Sequence, residues 1–199
     1  MPGSVPPPIA VFVSGGGRSL ENLADHVRAG TLPVRLALVL SNTPKAFALE
    51  RARRLEIPHL VLDPERQLDA AAFSREAFAA AERAGAELVV LAGFLRLLVI
   101  PEAWIGRVLN IHPALLPEFG GKGFYGERVH QAVLAAGRSK SGCTVHYVTN
   151  EYDAGPIVLQ REVPVLAGDD AHALAERVFE AEKLALPEAI RRHFARARS

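Results

Sequence analysis

"IAVFVSGGGRSLENLADHV", residues 9–27, decides the fold. "IAVFVS" is a short apolar run with no polar alternation, the pattern of a strand covered on both faces. Three glycines follow. Leu20, Leu23 and Val27 then recur at helical spacing, with Ser19 as the expected N-cap and Gly30 as the stop. A buried strand, a tight turn and an amphipathic helix form the opening unit of a parallel α/β sheet, because the helix carries the chain back to start the next parallel strand.

The alternation continues along the chain. "VRLALVLSN" (34–42) reads as a second strand, "KAFALERARRLE" (45–56) as a helix ending near Pro58, and "HLVLD" (59–63) as a third strand. "DAAAFSREAFAAAERAG" (69–85) is an Ala-rich helix closed by Gly85; "AELVVLAGF" (86–94) and "RVLNIH" (107–112) are the fourth and fifth strands. After Pro113 the pattern changes. A Gly-rich loop, "PEFGGKGFYGE" (117–127), leads into a helix near "RVHQAVLAAG" (128–137). "CTVHYVTN" (143–150) and "PIVLQREVPV" (156–165) flank the turn "EYDAGP", which predicts an antiparallel hairpin. A long helix starts near Asp170 and meets Pro187. The expectation is an α/β, Rossmann-like, mainly parallel sheet with helices on both faces and an antiparallel C-terminal hairpin. Residues 1–8, with three consecutive prolines, read as a frayed lead-in, and residues 9–199 as one domain.

Composition narrows the function classes. The chain has 199 residues, 49% hydrophobic and 23% charged, which supports a packed core. A formal net charge of +1 gives no electrostatic case for nucleic acid or an anionic membrane. The basic tail "EAIRRHFARARS" reads as a solvated helix end, where cations suit the helix dipole. The single cysteine, Cys143, allows no intrachain disulfide and fits a reducing cytoplasm. The N-terminus lacks the features of a secretory signal, and no run is apolar enough to span a bilayer. His130, His146 and Cys143 match no standard zinc spacing, so no metal is expected, and His146 reads as a core or hairpin histidine.

Two stretches carry chemistry. In "SGGGRS" (14–19) the glycines let a ligand approach the backbone, and N–H groups at a helix start attract anions. The stretch is neither a Walker A loop nor a dinucleotide fingerprint, so a phosphate is a better candidate than a nucleotide; a tight turn without ligand stays open. In "RVLNIHP" (107–113), Asn110 and His112 share one strand face while Leu109 and Ile111 point the other way, and Pro113 ends the strand. Both polar groups then stand at the strand's C-terminal end, where open α/β sheets bind ligands. An amide donor beside a histidine can stabilise an oxyanion and move a proton; a satisfied structural pair is the alternative.

"LNIHPALLP" (109–117) and "DAGP" (153–156), after the "SGGG" turn, closely resemble the phosphoribosylglycinamide formyltransferases, folate-dependent enzymes of purine synthesis. The likeness runs from Ile9 to about Pro187 and includes "LSNTPKAFALERA", "VVLAGFLRLL", "GCTVHYV" and "PIVLQREVPV". The resemblance implies a catalytic trio of Asn110, His112 and Asp153. It implies a phosphate-binding turn at Gly16, Gly17, Arg18 and Ser19, with Glu182 holding the glycinamide substrate. It implies folate-binding segments at Leu95, Arg96, Leu97 and Leu98 and at Thr149, Asn150, Glu151, Tyr152 and Asp153, with Asn110 belonging both to the trio and to the folate contacts. Arg18-Ser19 stands where the family commonly has Ser-Asn or Thr-Asn, the Gly120–Gly126 loop is a longer variant, and a family arginine ahead of the third helix has only Arg66 nearby.

The implied reaction moves the formyl group of 10-formyltetrahydrofolate, as co-substrate, to the amine of glycinamide ribonucleotide, without a metal. In it a cationic His112 beside Asp153 would help most. The implied protein is cytoplasmic, a monomer or homodimer, with no nucleic-acid or membrane partner. Three rivals share the core: a methionyl-tRNA formyltransferase, which normally has an additional C-terminal tRNA-binding domain; a formyltetrahydrofolate hydrolase, which normally has an additional N-terminal regulatory domain; and a non-catalytic sensor.

Overall fold

The computed structural model describes residues 5–62 and 69–196, so Arg66 and the first four residues of the lead-in lie outside it. The chain forms two compact units, 1–108 and 109–199.

The first unit follows the strand–helix alternation. Its elements are β1 (Pro8–Val13), α1 (Arg18–Arg28), β2 (Arg35–Ser41), α2 (Phe47–Arg54), β3 (His59–Val61), α3 (Ala70–Arg83) and β4 (Leu88–Leu91), then a single 3₁₀ turn at Glu102–Trp104. β1 pairs in parallel with both β2 and β4, and β2 with β3. Ile9 to Val13 and Leu88 to Val90 are wholly buried, as strands covered on both faces require. Phe12 meets Phe78 and Phe94 with ring centroids 6.1 and 5.7 Å apart, and Phe78 meets Trp104 at 5.4 Å. Asp69 caps α3 by accepting from the Ala71 N–H at 2.8 Å.

One local expectation fails in this unit. α1 begins at Arg18, and its N-cap is Gly17 rather than Ser19, with no side-chain cap. Gly17 has φ +75°, and a Cβ there would lie 2.6 Å from the Ala48 Cβ. The turn is shaped by the close approach of α2, and a capping serine has no place in it.

The second unit contains most of β5 (Val108–His112), α4 (Glu127–Ala135), β6 (Lys140–Tyr147), β7 (Ile157–Pro164) and α5 (Ala171–Arg196). β6 and β7 form the expected hairpin, and β6 also runs antiparallel to β5. α5 packs on β6 and β7 and continues through Pro187. Its buried residues Leu174, Val178, Leu186 and Ile190 share a core with Cys143 and Val145. The α/β class, with parallel pairing first and antiparallel pairing at the C-terminal end, is as read from the sequence.

Candidate active site

Strand alternation builds the site in the second unit. Leu109 and Ile111 are buried on one face of β5, and Asn110 and His112 stand on the other. Across the β5–β6 ladder Asn110 faces His146 and His112 faces Thr144. The turn between β6 and β7 brings in Asp153, which has φ +52°, a left-handed conformation that Asp and Asn tolerate better than most residues. Gly155 makes that turn possible, because a Cβ on it would lie 1.7 Å from the Tyr147 carbonyl oxygen.

Asp153 joins these groups. Its Oδ2 accepts from the Gly121 N–H at 2.9 Å and lies 3.6 Å from His112 Nδ1. Its Oδ1 lies 3.4 Å from Asn110 Nδ2 and 3.5 Å from His146 Nε2. Burial favours the neutral acid, yet the hydrogen bonds and charges around the carboxyl outweigh it and hold it below the usual aspartate range. Asp153 is therefore a carboxylate at neutral pH.

His112 Nε2 donates to the Phe119 carbonyl at 2.8 Å. A carbonyl only accepts, so Nε2 carries the proton of the neutral ring and any second proton goes to Nδ1, which faces Asp153. Burial lowers the His112 pKa below 6.5, and the opposing pull of Asp153 and the Phe119 carbonyl does not restore it. The ring therefore rests neutral near pH 7, because desolvation outweighs one carboxylate at 3.6 Å. The arrangement can accept a proton at Nδ1 and hold it against Asp153 when negative charge develops nearby.

The trio expected from the sequence is brought together. His146, expected to be a core or hairpin histidine, is buried on the β6–β7 hairpin and also belongs to this cluster, and so do the loop groups Phe119 and Gly121. The signal for His146 lay in its register opposite Asn110, which "GCTVHYV" alone does not disclose. Gly120, in the same loop, has no room for a Cβ, which would sit 2.5 Å from Leu116 and 3.3 Å from the Asp153 side chain.

The remaining candidates are placed as follows. In the first unit, the Gly15 carbonyl accepts from Ala48 N–H at 3.1 Å, Gly16 from Arg51 Nε at 2.9 Å, and Gly17 from Glu21 N–H at 3.1 Å. The oxygens that would repel an anion are therefore occupied by donors from α1 and α2. Arg51 was missed by sequence reasoning; it also pairs with Glu21. Arg18 is exposed and Ser19 half-buried in the first turn of α1. The Leu95 N–H donates to Ser14 Oγ at 2.9 Å; Leu95 and Leu97 are exposed, Leu98 is buried, and the Arg96 guanidinium sits over the Phe73 ring at 4.5 Å. In the second unit, Thr149 Oγ1 accepts from the Glu151 N–H at 3.3 Å, Tyr152 is exposed, and Asn150 lies in the same turn. Glu182, on α5, lies near enough to Cys143 to help burial push that thiol up to about 12. Among the described residues no group of three or more His, Cys, Asp or Glu is arranged to hold a metal ion.

Residues 8–190 match the family model described as "Formyl transferase". The chain belongs to the formyl transferase family. Among its formyl transferase relatives, the chloroplastic phosphoribosylglycinamide formyltransferase of Arabidopsis thaliana is 40% identical over 177 residues, 87% of this chain and 61% of that protein. The trifunctional purine biosynthetic protein adenosine-3 of Gallus gallus is 41% identical over 184 residues, 92% of this chain but 18% of its own length. The chain thus spans less than a fifth of the trifunctional relatives and about three-fifths of the plant one. The crystal structure of glycinamide ribonucleotide transformylase 1 from Symbiobacterium toebii is 40% identical, with a TM-score of 0.89 over 95% of this chain and 88% of that one. The phosphoribosylglycinamide formyltransferase from Bacillus halodurans is 30% identical with a TM-score of 0.86, covering 96% of each chain. The resemblance drawn from "LNIHPALLP" and "DAGP" is borne out by relatives that bear that name and share the fold.

Proposed function

We propose that this chain transfers the formyl group of 10-formyltetrahydrofolate to the amine of glycinamide ribonucleotide, giving formylglycinamide ribonucleotide and tetrahydrofolate. The observation that carries the reading is the Asn110–His112–Asp153 cluster, with His112 buried and the other two half-buried, held by the Phe119 carbonyl and the Gly121 N–H. It occurs in a chain whose relatives are named for this activity.

The amine lone pair attacks the formyl carbon, and the carbonyl electrons move to the formyl oxygen. Asn110 offers an N–H to that oxygen, and His112 takes the proton of the attacking amine at Nδ1, where Asp153 stabilises the imidazolium. As the tetrahedral carbon collapses and expels the folate nitrogen, the imidazolium gives that same proton to it, so the ring returns to neutral and atoms and charge balance. In the same reading Gly16, Gly17, Arg18 and Ser19 bind the ribonucleotide phosphate and Glu182 the glycinamide substrate. Leu95 to Leu98 and Thr149 to Asp153 bind the folate. The two units act as one formyltransferase domain, supported by a family match that runs continuously from residue 8 to 190. No helix is long and apolar enough to cross a membrane among the described residues; a cytoplasmic place and a monomer or homodimer belong to the proposal.

The test is to incubate the protein with 10-formyltetrahydrofolate, with and without glycinamide ribonucleotide, and follow deformylation. Turnover that requires the ribonucleotide is expected. Equal turnover without it identifies a hydrolase, and tight binding without turnover a sensor; either result overturns the reading.

A further inference from the structure

His146 is buried to 1% exposure, at a position the mechanism above does not use. Its Nδ1 lies 2.9 Å from the Tyr147 carbonyl oxygen, which only accepts, so Nδ1 carries the ring proton. In the neutral ring Nε2 is then a bare lone pair. It lies 3.1 Å from Asn110 Nδ2 and 3.5 Å from Asp153 Oδ1.

Both neighbours of the Asn110 amide nitrogen are therefore acceptors, a neutral imidazole nitrogen and a carboxylate oxygen. This settles which way the amide points. Turned over, Asn110 would aim its oxygen at the Asp153 carboxylate and lose its bond to the imidazole. The backbone holds His146 in this role. Asn110 and His146 are register partners, and the β6–β7 register shifts between Val145 and His146, where Val158 of β7 is the extra residue. The Tyr147 carbonyl that anchors Nδ1 is the one against which Gly155 of "DAGP" is pressed.

We propose that His146, as the neutral Nδ1–H tautomer, is a positioning residue that holds one Asn110 amide hydrogen and so aims the other at the reacting oxygen. It rests on the formyl-transfer reading for its catalytic consequence and on the geometry alone for the tautomer. The 3.4 Å contact from Asn110 to Asp153 is the longer of the amide's two, and it is the one an incoming oxyanion replaces.

The experiment compares His146→Leu and His146→Gln with the parent in steady-state and single-turnover assays, alone and in the Asn110→Ala background. A small misplacement of an oxyanion donor can lower the rate by up to about 100-fold. His146→Leu is expected to lower kcat about 10- to 100-fold, with both KM values within about threefold. His146→Gln, whose amide oxygen reaches where Nε2 stood, is expected to recover to within about fivefold of the parent. In the Asn110→Ala background His146→Leu should cost less than about twofold. A purely structural role predicts the same loss in both backgrounds, and that result, or a His146→Leu enzyme within twofold of the parent, overturns the proposal. If His146→Leu does not fold, the His146→Gln pair decides by the same criterion: a loss beyond fivefold that is equal in both backgrounds counts against positioning. Imidazole ¹⁵N shifts in the labelled parent provide a measurement independent of activity. The Nδ1–H neutral form at pH 7.5 supports the proposal, and an Nε2–H or cationic ring overturns it. A parent that transfers no formyl group defeats the functional reading, while the ¹⁵N result still decides the tautomer.

Discussion

Replacing Asp153 with Asn removes one charge and little else. The residue has φ +52°, a conformation Asn adopts as readily as Asp, so the turn keeps its shape. One amide oxygen can still accept from the Gly121 N–H. What goes is the negative charge 3.6 Å from His112 Nδ1. At that separation, with an effective dielectric near 20, two unit charges attract by about 4.6 kcal/mol. Because burial keeps His112 neutral at rest, this attraction counts where the ring gains a proton, in the transition state rather than in the bound substrates. The full amount corresponds to a ceiling of about 2,500-fold in rate. The Asn dipole recovers part of it, so the expected fall in kcat is at least about 100-fold, with substrate dissociation constants changed by less than about threefold. Single-turnover rates at saturating substrates, binding constants from fluorescence titration and a melting curve together check this. A folded variant whose turnover stays within a fewfold of the parent would refute the role given to Asp153.

Other outcomes follow from the same geometry. Gly155→Ala forces a Cβ to within 1.7 Å of the Tyr147 oxygen, so it should cost at least about 2 kcal/mol in urea unfolding and lower turnover by displacing Asp153; an unchanged urea midpoint would contradict the close approach. Cys143, pushed up to about 12 chiefly by burial, should react with a disulfide reagent at pH 8 only after denaturant is added; rapid reaction of the folded protein would contradict its burial. His112 and His130 both have pKa values lowered by burial, so the unfolded chain binds their protons first. Stability should be complete above about pH 6.5 and fall as the pH drops below it. The loss of Tm between pH 7.5 and 5.5 should shrink in His130→Leu, since that ring's Nδ1 has no hydrogen-bond partner and its titratable neighbours are His112 and Glu127; an unchanged pH dependence would exclude His130 as a contributor. Arg18→Ala, at an exposed position, should weaken ribonucleotide binding by no more than about fivefold in a titration; a larger loss would show a desolvated contact.

Local pattern was enough for much of this protein. Buried runs such as "IAVFV" and "LVVL", separated by helices with Gly stops, determine parallel α/β units because strands covered on both faces have no polar alternation. The i, i+2 spacing of Asn110 and His112 put both on one face of β5 before any coordinate was known, since that alternation is a property of the extended backbone itself. The resemblance carried Asp153 into the trio. Tertiary structure decided what depends on partners distant in sequence. Ser19 has the chemistry of a cap, but the approach of Ala48 to Gly17 put the N-cap at Gly17 and the first helical residue at Arg18. His112 has a carboxylate neighbour, yet its charge at rest follows from how much water the fold removes around it. His146 read only as a core or hairpin histidine because its partner, Asn110, lies thirty-six positions away, and the register of two antiparallel strands is set by packing and turn geometry rather than by the residues that face each other.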